Sequence, residues 1–253
     1  MHNFTFNGVS LSQFGGRILQ APFHTVAKRN VDFEKIYGQS GDEIIDNESY
    51  DNISFSIKIS FLPLLSEQTA RELAYAIIDW LAPLQNGYYT YRDTYNPGYF
   101  TKAVLININD VVRELPTLLT TTLKFNRVPF WYRDDGVDKI TIKSTGSTIV
   151  NPENYTSEPV YEFYYPYLDG QSRDAVITVN GVATTFSGVV YPRTYYFDNV
   201  EKQHYYISNG SKIYISDILL PNLCPGNNTI SITVGSMMQG SFSLKVTPNW
   251  RRL

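Results

Sequence analysis

Cysteine is almost absent. Cys224 is the single one in 253 residues, so no disulfide can form within the chain. Histidine is nearly as scarce: His2, His24 and His204 show no i, i+2 or i, i+4 pairing, so neither a zinc-ligand spacing nor a base for a His-driven nucleophile is offered. No G-x-S-x-G elbow, P-loop, G-x-G-x-x-G or H-E-x-x-H occurs. The expectation is no catalytic residue, no metal and no cofactor. An excess of positive charge is missing as well. With 21 Lys and Arg against 24 Asp and Glu the net charge is -3, and phosphate neutralisation strong enough to wrap nucleic acid is not expected. The longest apolar run, LAYAIIDWLAPL from Leu73 to Leu84, carries Asp79 and falls short of the ~20 residues of a membrane span, so no membrane insertion is expected. The opening MHNFTFNGVS has neither the basic start nor the apolar core of a signal peptide, which predicts synthesis in a reducing cytoplasm. Six N-x-S/T sequons, at Asn52 and Asn209 among others, are then incidental.

What is present is apolar and aromatic. Hydrophobic residues make up 43% and charged residues 18%, the composition of a packed globular chain of one large or two ordinary domains. Tyrosines outnumber phenylalanines 20 to 14, which suits sheets with one wet face. FTFNGVSL predicts a hairpin on a two-residue Asn7-Gly8 turn. In NISFSIKISF, Ile53, Phe55, Ile57, Ile59 and Phe61 alternate with polar residues, a strand with one face in a core. One helix is predicted near 66–82, with Ser66 as N-cap, Glu67 in the first turn, and Leu73, Ile77, Trp80 and Leu81 as a stripe facing a sheet. The charged turn RDDGVDK, Arg133 to Lys139, predicts a domain boundary and so domains at 1–136 and 137–253. Beyond it, DKITIKS, PVYEFYYPY, AVITVNGVATTF around Asn180-Gly181, KIYISDI, NTISITV and SFSLKVT read as an antiparallel β-sandwich.

Few segments invite a functional reading. Asp134, Asp135 and Asp138 lack the ligand pattern of a calcium loop and fit a solvated turn better. Nothing selects a pair of carboxylates for glycoside cleavage. The tyrosine runs Tyr161 to Tyr167 and Tyr191 to Phe197 suit either a sugar-stacking platform or strands that alternate between core and wet face. KIYGQSGDEIIDNESYDN places Ile36, Tyr37, Ile44 and Ile45 around a turn at Gly38 and Gly41, with acids beyond. It reads either as an exposed hairpin or as an arm that grips a neighbour. In the ending VTPNWRRL, Pro248 interrupts ladder pairing after the last strand. Trp250, Arg251, Arg252 and Leu253 then either fasten the terminus back on the first domain or the cleft, or leave Trp250 capping the second sandwich with its arginines solvated.

FTFNGVSLSQFG, GQSGDE before a long alternating strand and a helix, YNPGYFTKAVL, KFNRVPFWYRD and the closing WRRL occur in an order that resembles the distal tail (Dit) proteins of long non-contractile-tailed phages of Gram-positive bacteria. The resemblance is strongest over residues 1 to about 135. It implies a mainly β fold of two antiparallel β-sandwich domains, the first with one α-helix and a projecting hairpin arm, the second galectin-like or carbohydrate-binding-module-like. It also implies a virion tail-tip location and a structural role without enzyme activity. Family members form a hexameric ring hub, in some cases back-to-back rings, between the tail tube protein and the tail fibre or tail-associated lysin. DNA passes the central channel without specific binding. On this likeness Ile36, Tyr37, Gly38, Gly41, Ile44 and Ile45 become an oligomer interface, and Asp42 or Glu43 become candidates for the channel wall. The alternative is a lectin-like module for host cell-wall glycan.

Overall fold

The computed structural model describes residues 2–22, 25–62, 69–109, 112–115, 118–143, 146–165, 173–189, 193–234 and 242–253. Two compact units make up the chain, Met1–Trp131 with Leu253, and Tyr132–Arg252. The division falls ahead of the charged turn because Arg133 and the turn Asp134–Val137 that follows are hydrogen-bonded or packed within the second unit.

The strands of the first unit are β1 (Phe4–Phe6), β2 (Val9–Ser10), β3 (Gly16–Ile18), β4 (Arg29–Lys35), β5 (Asp42–Tyr50), β6 (Ile53–Phe61), β7 (Tyr89–Asp93), β8 (Tyr99–Ile108), β9 (Val112–Leu115) and β10 (Leu118–Arg127). Asn7 and Gly8, at φ 50° and 81°, make the turn between β1 and β2; positive φ at both positions is what Asn-Gly tolerates. Antiparallel pairing runs β2-β1-β7-β8-β10-β6-β3, with β9 on β10. The sheet curls on itself: Phe4 and Phe6 of β1 meet Phe125 of β10 at ring distances of 6.1 and 5.2 Å, although β7 and β8 lie between those strands. As the alternation predicts, Ile53, Ile57, Ile59 and Phe61 are buried.

Helix α1 (Ala70–Leu81) covers this core with Leu73, Ile77 and Leu81, and Trp80 stacks on Phe14 and Phe4. Its N-cap is Thr69, not Ser66: the Thr69 hydroxyl accepts from the Glu72 N–H and the Glu72 carboxylate accepts from the Thr69 N–H. This reciprocal pair satisfies two of the orphan donors at the helix start and holds the Glu72 carboxyl below the usual range. Ser66 and Glu67 lie outside the described residues.

The second unit is a sandwich. After β11 (Trp131–Arg133) come β12 (Ile140–Ile142), β13 (Ser147–Asn151), β14 (Val160–Tyr165), β15 (Arg173–Val179), β16 (Val182–Val189), β17 (Arg193–Asp198), β18 (Gln203–Ser208), β19 (Ser211–Ser216), β20 (Gly226–Val234), β21 (Ser243–Thr247) and β22 (Arg251–Arg252). One sheet runs β12-β21-β14-β17-β18-β19, the other β13-β20-β15-β16. Alternate residues of both fill one core, among them Tyr161, Phe163, Phe197, Leu244 and Val246 from the first and Ile149, Ile177, Phe186 and Ile230 from the second. Asn180 and Gly181, again at positive φ, turn β15 into β16.

Candidate functional site

Among the described residues, strands β4 and β5 pair only with each other. In register, Lys35 opposes Asp42, Glu34 opposes Glu43, Phe33 opposes Ile44, Asp32 opposes Ile45 and Val31 opposes Asp46. Directly opposed residues of an antiparallel pair share a face, so the hairpin has two unlike sides. Val31, Phe33 and Ile44 lie on one, bounded by Lys35 with Asp42 and by Asp46. Asp32, Glu34 and Glu43 lie on the other with Ile45. Ile44 and Ile45, neighbours in sequence, therefore point apart.

The connecting segment is 36–41. Gly38 and Gly41 take φ of 85° and 106°, and the Gln39 N–H donates to the Ile36 carbonyl at 3.1 Å. No atom lies within 4 Å of a Cβ built on either glycine, so the requirement for glycine there is one of backbone conformation. At the base, a bulge separates Asn30 from Val31 in the ladder, and Glu48 stands at φ 50°. Asp46 holds that kink together by accepting from the Arg29 guanidinium and from the Glu48 N–H, and Arg29 keeps its carboxyl below the ordinary range. Asn47 donates to Asp32 at 2.9 Å.

None of the hairpin's side chains is buried. Phe33 is 64% exposed, Ile44 62%, and Tyr37 is fully exposed. Val31, Phe33 and Ile44 thus form an apolar strip on a two-stranded ribbon with no buried side chain; exposed strips of this kind are more often functional than incidental. Val31 and Phe33 escaped the sequence reading, which began the segment at Lys35. Their signal was the alternation in NVDFEK.

Trp250 sits elsewhere than on the first domain. It is 4% exposed and belongs to the second unit's core. The cap is the arrangement found, with one difference: Arg251 is not solvated. Its guanidinium donates to the Thr156 carbonyl at 2.8 Å and to Glu158 at 2.6 Å. Gly136 lies against the Trp250 backbone, Asn249 N–H donates to the Gly136 carbonyl at 2.7 Å, and Arg133 N–H donates to the Trp250 carbonyl at 2.9 Å. Strand β22 pairs with β11; of the four residues read as a fastener, Trp250 belongs to the second unit's core and Leu253 is grouped with the first unit. Arg252 and Leu253 are half-buried.

The tyrosines of the second unit are divided between core and surface: Tyr164 and Tyr214 are 41% and 54% exposed. Tyr161 and Tyr195 are buried, Tyr196 and Tyr205 stack on each other at 5.1 Å, and Lys212 lies over Tyr205 at 4.4 Å. Tyr167 and Tyr191 lie outside the described residues, as does His24. His204 is buried against Phe197 and Phe186, with Nδ1 at 2.9 Å from the Ser216 hydroxyl. Burial lowers its pKa from 6.5 to about 4. Asp135 makes a two-pronged pair with Arg133 at 2.9 and 2.7 Å, which holds its carboxyl low. Among the described residues no three His, Cys, Asp or Glu side chains come together as a metal would require.

A curled β unit with one helix and a hairpin, followed by a β-sandwich, has counterparts among solved structures of phage tail and baseplate proteins. Over its full length the chain is similar to the Dit protein of phage SPP1, described as a paradigm of hub adsorption apparatus in phages infecting Gram-positive bacteria; the TM-score is 0.66 at 13% identity, with 100% of both chains covered. It is also similar to a chain of the phage p2 baseplate in its activated conformation, with Sr (TM-score 0.52, 8% identity, 100% and 98% covered) and with Ca (0.51, 9%, 100% and 98%). No family model and no curated protein matches the sequence. The mainly β fold is that of the Dit and baseplate chains.

Proposed function

We propose that this chain is a structural hub protein of a phage tail tip, which assembles through its arm into a closed ring around a channel. The observation that carries the reading is the hairpin β4–β5: Phe33 and Ile44 held exposed beside Val31 on a chain whose fold follows SPP1 Dit from end to end. A contact between this strip and a different surface of an identical chain is head-to-tail, and such contacts close into rings when the rotation allows. Six copies, a tube protein on one side and a fibre or lysin protein on the other are the arrangement proposed for it. DNA passes through without being bound.

Light scattering with negative-stain microscopy of the purified chain tests this. Closed rings of one size are expected, and a species that stays monomeric at high concentration would overturn the reading.

A further inference from the structure

The two outer faces of the second unit's sandwich differ. On the four-stranded sheet the exposed positions include Thr148 and Val150 of β13, Thr229, Ser231 and Thr233 of β20 and Thr185 of β16, none of them charged or aromatic. On the six-stranded sheet Tyr161, Phe163, Tyr195, Phe197, Leu244 and Val246 turn inward, so the alternate positions Glu162, Tyr164, Tyr196 and Lys245 face out. Register sets three of these in one line with two more tyrosines: Lys245 opposes Glu162, Glu162 opposes Tyr196, Tyr196 opposes Tyr205 and Tyr205 opposes Tyr214. The line crosses five strands. Its positions repeat at the strand spacing of about 4.8 Å, which is close to the length of one pyranose ring.

Along this line rings alternate with held polar groups. Tyr205 is buried under its neighbours: Tyr196 stacks on it with the ring planes 10° apart, and Lys212 lies over it. The open rings are those of Tyr214, of the half-buried Tyr196, and of Tyr164, which stands two residues beyond Glu162 and opposes Thr194. Lys139 fixes the Glu162 carboxylate at 2.6 Å, Lys212 pairs with Glu201, and the Tyr214 hydroxyl donates to Asp217. Lys245 is exposed towards the other end of the line. Three cations, Lys139, Lys212 and Lys245, therefore stand among three carboxylates, Glu162, Glu201 and Asp217. A surface so balanced has no field of one sign with which to draw a polyanion. It suits a neutral ligand with apolar faces and a polar rim. A pyranose ring has that character: its C–H faces pack on aromatic rings, and its hydroxyls both donate to carboxylates and accept from ammonium groups.

We infer that the outer face of the six-stranded sheet binds a neutral polysaccharide laid across the strands, its sugar rings stacked on Tyr164, Tyr196 and Tyr214 and its hydroxyls bonded to Glu162, Lys245 and Asp217. The Lys139 bridge and the Tyr196–Tyr205 stack hold part of the surface in place before the ligand arrives, which lowers the ordering cost of binding. This face belongs to the second unit, whereas the arm belongs to the first, so glycan binding does not depend on ring closure.

Isothermal titration of the full chain with a soluble glucan, a galactan and chitin oligosaccharides, set against a glycerol-phosphate polymer at low and high salt, decides it. At least one neutral glycan is expected to bind with little salt dependence. Tyr164→Ala and Tyr214→Ala are each expected to weaken that binding about tenfold, and Tyr214→Phe, which keeps the ring, to stay within about twofold of wild type. Tyr75→Ala, at an exposed tyrosine on α1 of the first unit, is expected to change nothing. Circular dichroism and light scattering are expected to show every variant folded and in the same oligomeric state as wild type. The assignment is overturned if none of the neutral glycans binds, if binding survives the double change Tyr164→Ala/Tyr214→Ala, if only the glycerol-phosphate polymer binds, or if binding is lost only together with the fold or the wild-type oligomer. None of these results bears on the ring reading, which the oligomeric state of the wild type decides.

Discussion

Gly136 sets how closely the second unit's last residues can approach. A Cβ placed there would stand 2.6 Å from the Trp250 nitrogen and 3.2 Å from the Trp250 Cβ. Backbone on both sides leaves no flexible side chain to give way. Gly136→Ala is expected to destabilise the second unit by about 1–3 kcal/mol, whereas Gly87→Ala, with no atom within 4 Å of the new carbon, should be near neutral. Calorimetry on the full chain would check the pair. His204 gives a pH dependence of known sign. Its pKa is lowered from 6.5 to about 4 by burial, so between those values the unfolded chain holds more protons than the folded one. Stability should therefore fall as pH drops from about 6.5 towards 4. Urea midpoints at intervals across that window check the slope, and His204→Phe should flatten it.

At the level of single elements, what was legible followed from local chemistry. Asn7-Gly8 and Asn180-Gly181 turn where they were read to turn, because positive φ at two successive residues has few other solutions. The stripe of α1 was read correctly down to Trp80. Its cap was misplaced, although the Thr69-x-x-Glu72 spacing was in the sequence, because Ser66 and Glu67 compete for the same role a few residues earlier. Thr69→Ala should cost about 1 kcal/mol, seen as a lower melting temperature of the first unit. The arm was half legible. Its glycine turn declared itself, whereas the two-sided character depends on register, which depends in turn on the bulge at Asn30 and Val31; a one-residue slip would have exchanged the sides. Phe33→Ser with Ile44→Ser should leave the melting temperature almost unchanged, since both side chains are exposed. Ring formation, followed by light scattering, should be lost.

For the molecule as a whole, net charge of -3 concealed more than it revealed. The acidity is concentrated in the arm, a clustering that composition averages away. The role of Trp250 was equally hidden, because nothing in VTPNWRRL says which core the ring enters. That role has a wider consequence. With β22 beside β11 and Trp250 seated on Gly136, the first and last strands of this stretch lie side by side. A stretch whose two ends meet behaves as a cassette: its interior can grow or shrink without moving the two points that bound it.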